Sequence, residues 1–153
     1  MFGAGCFWGI EEKLRITEGV LSTEVGYAGG HVENPTDQLV HDADTGHTEV
    51  VRISFDPAKI TYDKLLDIFW KSNDPTQVNR EGPNIGFQYR SVIFFFNDEQ
   101  KTAAEKSKEA LEKSGEYDKP IATAIEPVRT YYKAEDYHQK YLSKRGLKVC
   151  PWK

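Results

Sequence analysis

The spacing of apolar residues divides the chain into strands and helices. After a short strand at 2–5, Phe7, Ile10 and Leu14 recur at the i, i+3 and i+7 positions of a helix. Apolar and polar residues alternate over 47–55, which is typical of a half-buried strand. The same criteria predict strands at 2–5, 20–26, 47–55, 89–96 and 121–125, and helices that include 7–14, 62–69, 97–114 and 135–142.

The elements up to residue 96 follow the order βαββαβ. This order is that of a split βαβ unit, so we predict an α+β sandwich with an antiparallel or mixed sheet and helices on one side. A further strand and helix follow towards the C-terminus. The strand at 89–96 is apolar on both faces and is predicted to be central in the sheet. Two stretches rich in Gly, Asn, Pro and Asp, 27–46 and 74–86, are predicted to be long loops, the first with room for one helical turn.

Length and composition suit a single globular domain. The chain has 153 residues, 39% of them hydrophobic and 29% charged, without repeats or linkers. We therefore predict one domain over 1–153, with a mobile tail at 143–153. A formal charge of -4 without a basic cluster argues against a nucleic-acid partner. Because we find no apolar run of membrane-spanning length and no signal peptide, we predict a cytoplasmic monomer that does not enter the membrane.

Cys6 is the candidate nucleophile, because it lies where a strand passes into a helix. Its sulfur can face the unpaired N–H groups of the first helical turn and the positive end of the helix dipole, which favour a thiolate. Gly5 and Gly9 leave space for another molecule to approach. Phe7 and Trp8 offer apolar surfaces beside the sulfur. They could line a pocket or belong to the core, as most Phe and Trp residues do.

Two other residues are candidates for acid chemistry. Glu49 shares strand parity with Val51 and Ile53, so its carboxyl is expected on the buried face, where desolvation favours the protonated form. A neutral carboxylic acid can donate a proton to a bound oxygen. The alternative is that Glu49 reaches water at the frayed start of the strand. Tyr89 could present its hydroxyl at the rim of the core, or be an ordinary core tyrosine.

The second cysteine, Cys150, lies near the C-terminus. It could swing towards an oxidised Cys6 and form a disulfide, or it could be inert. No Cys/His pair has zinc-site spacing, and no Gly-rich loop has the form of a dinucleotide-binding loop, so we predict neither a metal nor a bound cofactor. The histidines are scattered along the chain: His31, His41, His47 and His138.

Short motifs occur in order along nearly the whole chain, from residue 5 to about 142. They are GCFWG at 5–9, GYAGGH at 26–31, NPT at 34–36, TGHTEV at 45–50, NDPT at 73–76, GFQYRS at 86–91 and YHQKYL at 137–142. Together these motifs resemble the signatures of the peptide methionine sulfoxide reductase A family. The resemblance implies a ferredoxin-like βαββαβ two-layer sandwich with an extra C-terminal strand and helix. It also implies thiol-dependent reduction of S-methionine sulfoxide, free or in proteins.

The resemblance further implies a role for each candidate residue. Cys6 matches the nucleophile, which attacks the sulfoxide sulfur and becomes a sulfenic acid. Glu49 matches the acid that protonates the sulfoxide oxygen, and Tyr89 matches a hydroxyl that polarises it. Cys150 resembles the recycling cysteine, whose disulfide with Cys6 would be reduced by an external reductant, thioredoxin or dithiothreitol. The residues that match the walls around the methionine methyl group are Phe7 and Trp8.

Three positions depart from the family pattern. Asp37 stands where a tyrosine usually follows Asn-Pro-Thr, and Asn84 stands where an aspartate is usual. One hydroxyl has thus become a carboxyl and one carboxylate an amide. We expect both residues to contact the substrate, and we hypothesise that Asp37 restores the lost acid from the opposite loop. His41 replaces a cysteine often found in this loop, which leaves Cys150 as the candidate resolving cysteine.

Two other functions fit the same residues. A cysteine-dependent acyl transferase or hydrolase would pair Cys6 with His31 or His47 as base and would need no reductant. A binding module would recognise oxidised methionine through Phe7 and Trp8 without releasing methionine. The changes at positions 37 and 84 give this second alternative some support, because altered polar groups in a site can lower a rate by orders of magnitude.

Overall fold

The computed structural model describes residues 1–149, which form a mixed α+β fold. The strands are β1 (Phe2–Ala4), β2 (Val20–Ala28), β3 (Thr48–Phe55), β4 (Arg80–Glu81), β5 (Asn84–Ile85), β6 (Ser91–Phe95), β7 (Ala124–Pro127) and β8 (Tyr131–Lys133). The α-helices are α1 (Phe7–Arg15), α2 (Asp37–Asp42), α3 (Tyr62–Trp70), α4 (Asp98–Ser114) and α5 (Tyr141–Lys144). A 3-10 helix occupies Phe87–Tyr89.

Six of the strands form one mixed sheet in the order β7-β6-β1-β3-β2-β8. Neighbouring strands are antiparallel, except that β6 and β7 are parallel. β6 therefore has a partner on each side, in agreement with its two apolar faces. β4 and β5 form a separate antiparallel pair.

Alternation along β3 separates two apolar clusters on opposite faces of the sheet. Val51 and Ile53 face the larger cluster, which includes Phe7 of α1 and Leu65 of α3. Val50 belongs to the smaller cluster on the other face. The period of two along the strand therefore predicted correctly which side faces the larger cluster, while Val50 on the other side is buried as well.

The predicted strand at 89–96 begins later in the structure, at Ser91. Ala4, the last residue of β1, pairs with Ser91, so the ladder has no partner for the residues before it. The preceding segment turns back on itself, with the Tyr89 N–H donating to the Gly86 carbonyl oxygen at 3.0 Å. The prediction that Tyr89 opens the strand is therefore wrong, because the neighbouring strand is too short to pair with it.

Other boundaries also differ from the predicted ones. The strand expected at 121–125 is β7, whose pairing with β6 starts at Ala124. β8 was not predicted. The stretch 27–46 contains α2, in agreement with the helical turn predicted there, whereas the β4–β5 hairpin within 74–86 was not predicted.

The helix predicted at 135–142 is reduced to α5, after a series of turns. Lys140 has a left-handed backbone (φ 52°), which interrupts a helix. The Gln139 side chain pairs with the backbone of Val25, accepting from its N–H at 2.9 Å and donating to its carbonyl at 2.8 Å. The Lys140 N–H donates to Glu11 at 2.9 Å. These partners are more than a hundred residues away in sequence, so local periodicity could not show that they would replace helical hydrogen bonds.

The start of the predicted tail is ordered into a helix end. The Leu147 N–H donates to the Leu142 carbonyl at 2.9 Å, which closes the last turn of α5. Cys150 and the rest of the predicted tail lie outside the described residues. Within residues 1–149, none of the helices combines the length and the apolar character needed to cross a lipid bilayer.

Candidate active site

The site is built around the start of α1. Cys6 is the N-cap residue of this helix and is half-buried. Gly5 before it has a left-handed backbone (φ 79°), and a Cβ at that position would lie 2.6 Å from the Glu81 side chain. Glycine is therefore needed both for the turn that presents Cys6 and for the close approach of the β4–β5 hairpin.

Glu49 occupies the buried position that strand parity predicts. Its side chain is 3% exposed, and its Oε2 accepts the Phe7 N–H at 3.0 Å. Burial raises the pKa of Glu49 to about 8; the Phe7 hydrogen bond acts against this shift and the charge of Asp37 adds to it. The carboxyl is therefore largely protonated at neutral pH. Because Oε2 accepts from the backbone, the proton belongs on Oε1.

Tyr89 reaches the site from the 3-10 helix rather than from a strand. Its hydroxyl lies 2.8 Å from Nε2 of His41. Burial is the main cause that raises the pKa of Tyr89, and the charges of Glu49, Cys6 and Asp37 act in the same direction. The phenol therefore stays protonated and can act as a hydrogen-bond donor.

Asp37 is held by the C-terminal segment of the chain. Its N–H donates to Glu135 at 2.9 Å, and its Oδ2 accepts from the Tyr137 hydroxyl at 3.3 Å. Its Oδ1 lies 3.3 Å from both Nδ1 of His41 and Nε2 of His138. The Asp37 carboxylate therefore lies between two imidazoles.

His138 links this polar group to the apolar wall. Its Nδ1 accepts the indole N–H of Trp8 at 3.0 Å, so a neutral ring carries its hydrogen on Nε2. Burial lowers the pKa of His138, against the opposing charges of Asp37 and Glu135. Trp8 stacks on Tyr141 with ring centroids 3.6 Å apart. This contact fixes the indole plane at the edge of the site.

These side chains surround one cavity of about 380 Å³. Its lining residues are Cys6, Phe7, Trp8, Asp37, His41, Glu49, Asn84, Tyr89, Tyr137, His138, Tyr141 and Arg145. Among them are all the described residues to which the family resemblance assigns a role: Cys6, Phe7, Trp8, Asp37, Glu49, Asn84 and Tyr89. Cys150 lies outside the described residues. A larger groove of about 720 Å³ beside α3 and α4 is lined by residues without a thiol or an imidazole, so it lacks a nucleophile of that kind.

Sequence reasoning missed the polar partners of the candidates. In the sequence, His41 is marked only because it stands in place of a cysteine, and 137–142 only as a motif on an expected helix. The sequence held two signals for these partners. One is the position of His41 four residues after Asp37, and the other is the histidine and the two tyrosines of the YHQKYL motif at 137–142. The contacts themselves join residues distant in sequence, such as His41 with Tyr89 and Trp8 with His138.

One histidine lies close to two carboxylates at the cavity. Asp37, His41 and Glu49 each offer one ligand atom, and these atoms lie within 4.8 Å of one another. Two carboxylates and an imidazole suit a divalent cation such as Zn²⁺. Among the described residues this group is therefore the one that could hold a metal, although a protonated Glu49 would first have to release its proton.

The two histidines of the hydrolase alternative do not line the cavity. His47 is 1% exposed, accepts the Gly30 N–H at 3.2 Å and bonds the Val32 carbonyl at 2.7 Å through its other nitrogen. His31 is exposed, and its backbone N–H donates to Thr45. Neither ring is in place to act as a base for Cys6.

Comparisons with known proteins show the family of the chain. The family model described as Peptide methionine sulfoxide reductase matches residues 1–153. The chain is 59% identical over 146 residues to the peptide methionine sulfoxide reductase MsrA of Methanosarcina acetivorans, an alignment that covers 95% of this chain and 78% of that protein. It is 53% identical over 151 residues to the MsrA of Geobacter sulfurreducens, covering 99% and 93%. The crystal structure of reduced Mxr1 from Saccharomyces cerevisiae superposes with a TM-score of 0.89 at 36% identity, covering 98% of this chain and 87% of that one. The chain therefore belongs to the peptide methionine sulfoxide reductase family.

Proposed function

We propose that the protein reduces the S epimer of methionine sulfoxide, free or in proteins, to methionine. The observation that carries the proposal is that Cys6, at the start of α1, and a protonated Glu49 line the same cavity. Glu49 accepts the Phe7 N–H and lies in the same cavity as Cys6. A nucleophilic sulfur and an acid next to each other are what the two atoms of a sulfoxide group require.

The reaction follows from these two groups. The Cys6 thiolate attacks the sulfoxide sulfur, while Glu49 gives its proton to the sulfoxide oxygen. The attack forms a transient bond between the two sulfur atoms; this bond and the S–O bond of the substrate then break as the oxygen bonds to the Cys6 sulfur. Methionine leaves with the electron pair that Cys6 loses, and Cys6 is left as a sulfenic acid. The oxygen and the proton are both accounted for in Cys6–SOH.

The remaining lining residues have distinct roles in this proposal. Phe7 and Trp8 form the apolar wall for the methionine methyl group, and the Trp8 plane is held by His138 and Tyr141. Tyr89 donates its hydroxyl to the sulfoxide oxygen. Asn84 and Asp37 lie on the oxygen side, where Asn84 can hydrogen-bond but cannot carry charge.

The α+β class includes many arrangements of strands and helices, and we propose a specific one for this chain. We propose that β1, α1, β2, β3, α3 and β6 form a ferredoxin-like βαββαβ unit. The order β6-β1-β3-β2, with antiparallel neighbours, supports it. β7, β8 and α5 then extend this unit within a single domain.

The proposed cycle needs a reductant but no bound cofactor. We propose that Cys150 condenses with the Cys6 sulfenic acid, releasing water and leaving a Cys6–Cys150 disulfide. Thioredoxin, or dithiothreitol in vitro, then reduces this disulfide. Such a cycle fits a monomer in a reducing compartment such as the cytoplasm.

The function is tested by incubating the protein with S- and R-methionine sulfoxide peptides and dithiothreitol. Mass spectrometry should show loss of one oxygen from the S peptide alone. Binding of the S peptide without methionine formation would instead support the binding-module alternative. Turnover of an ester without reductant would support the hydrolase alternative, and either result would refute the proposal.

Cys150→Ser should affect turnover with thioredoxin and turnover with dithiothreitol differently. We expect turnover with thioredoxin to fall at least about a hundredfold, because the variant cannot form the disulfide that thioredoxin reduces. Turnover with dithiothreitol should persist, since a small dithiol can reach the sulfenic acid directly. Steady-state rates with each reductant measure the ratio. Undiminished thioredoxin-driven turnover would show that Cys150 is not the resolving cysteine.

A further inference from the structure

Arg145, the C-cap residue of α5, is the one arginine or lysine among the described residues that line the cavity. Its guanidinium carbon lies 3.6 Å from the centre of the Tyr141 ring. The indole of Trp8 is parallel to the same ring, also with 3.6 Å between the ring centroids. Because both are contact distances, Arg145 and Trp8 must cover opposite faces of Tyr141. The edge of the cavity is therefore a stack of an indole, a phenol and a guanidinium.

This stack holds the guanidinium of Arg145 in one place. One of its N–H groups donates to the Tyr141 carbonyl oxygen at 3.4 Å, and the face of the ring attracts the cation. The backbone N–H of Arg145 donates to the Leu142 carbonyl oxygen at 3.0 Å, within the last turn of α5. A side chain that is already ordered loses less conformational entropy when it binds a further group.

The positive charge of Arg145 has no carboxylate partner within residues 1–149. Arg15, in contrast, pairs with Glu12 at 2.7 Å. Arg145 is exposed, and its planar fork of N–H donors matches the two oxygens of a carboxylate. The chain therefore presents an ordered carboxylate-binding group at the edge of the cavity.

The carboxyl groups of the cavity itself have other partners. Oδ1 of Asp37 lies 3.3 Å from a ring nitrogen of His41 and from one of His138. Oε2 of Glu49 accepts a backbone N–H at 3.0 Å. Arg145 is therefore left for a carboxylate that comes from outside the chain.

We propose that Arg145 binds a carboxylate of the substrate beside the oxidised methionine, and that the enzyme consequently prefers substrates that carry one there. The inference rests on the proposed reductase function and deepens it, because it names a substrate class. The carboxylate can belong to an acidic residue next to the methionine sulfoxide, or it can be the terminal carboxylate of the methionine sulfoxide itself. Successive Cα atoms are about 3.8 Å apart, so both groups can reach a site two ring layers from the indole that faces the methyl group.

The test compares kcat/KM within two pairs of S-methionine sulfoxide peptides, with dithiothreitol as the reductant. In the first pair both peptide ends are blocked, and the oxidised methionine is flanked on each side by glutamate or by glutamine. In the second pair the oxidised methionine is the last residue, with a free or an amidated carboxyl group. We expect the wild type to prefer the charged peptide of at least one pair about fivefold, as an exposed ion pair would produce. The pair that shows the preference identifies the source of the carboxylate.

Arg145→Gln should abolish this preference, because the glutamine amide carries no charge. Lys144→Gln is the matched control, since it removes one positive charge from α5 at a residue that does not line the cavity. It should keep the preference. Each ratio is taken within one variant, so a general loss of activity in Arg145→Gln cancels.

Two kinds of failure can be told apart. A wild type that forms methionine from none of the peptides would refute the reductase function itself. The role of Arg145 alone would be refuted by an active wild type without preference in either pair. A preference that survives in Arg145→Gln, or that Lys144→Gln also loses, would refute it equally.

Discussion

Cys6→Ser is expected to lower the formation of methionine from an S-sulfoxide peptide at least about a thousandfold. A serine hydroxyl is almost entirely un-ionised near neutral pH. Its oxygen also cannot take up the sulfoxide oxygen, because it has no stable counterpart of a sulfenic acid. Serine matches cysteine closely in size, and Cys6 is an N-cap residue, where serine is well tolerated. The loss should therefore come from the chemistry and not from the fold. Mass spectrometry of the peptide after single-turnover and multiple-turnover incubations measures it.

The matched control for this variant is the other cysteine. Cys150→Ser should retain dithiothreitol-driven activity, so a general effect of removing a thiol can be recognised. Cys6→Ser should still bind the S-sulfoxide peptide, because Phe7, Trp8 and Glu49 remain in the cavity. Methionine formation by Cys6→Ser at more than a few per cent of the wild-type rate would show that another group attacks the sulfoxide.

Glu49→Gln is expected to lower the single-turnover rate about 10²- to 10⁴-fold, the range typical of general acid catalysis. The amide can still accept the Phe7 N–H, as Oε2 of Glu49 does at 3.0 Å, so the start of α1 should keep its position. What the amide lacks is a proton that it can release to the sulfoxide oxygen. In the wild type the rate should fall as the pH rises through the Glu49 pKa of about 8. That limb should vanish in the variant.

Glu49→Gln should lower the rate of the reaction but raise the free energy of unfolding at alkaline pH. The pKa of Glu49 is raised from 4.5 to about 8 in the folded protein, so between these values the folded chain holds a proton that the unfolded chain has released. The free energy of unfolding therefore falls as the pH rises through this window, by at most about 1.4 kcal/mol per pH unit. Glu49→Gln should be more stable than the wild type at pH 9, and this advantage should shrink towards pH 5.

Urea denaturation at the two pH values measures this difference. Glu24→Gln is the control, because Glu24 lies outside the cavity, where it accepts a hydrogen bond from Tyr131 at 2.7 Å. It should leave the fall of the rate through the Glu49 pKa unchanged. Equal stability gains for Glu49→Gln at pH 5 and pH 9 would contradict a buried, protonated carboxyl at position 49.

Several features of the site followed from sequence because they depend on short-range geometry. Glu49 was placed on the buried face by the alternation of β3, a period of two that neighbouring residues define. Cys6 was placed at a helix start because an apolar repeat of helical spacing follows it directly. The expectation for Tyr89 was only partly right. Its hydroxyl reaches the site, but from a 3-10 helix, because β1 ends at Ala4 and cannot pair further with β6.

By itself, the sequence predicted the order of the main strands and helices, the helix start at Cys6 and the buried position of Glu49, because local periodicity defines them. The tertiary structure alone decided how the acid and the tyrosine are surrounded. His41 meets Tyr89 across 48 residues, and Trp8 meets His138 across 130. These contacts depend on the paths of the loop at 27–46 and of the turns before α5. Long-range hydrogen bonds from Glu135, Gln139 and Glu11 hold these segments in place, and no periodic pattern encodes them.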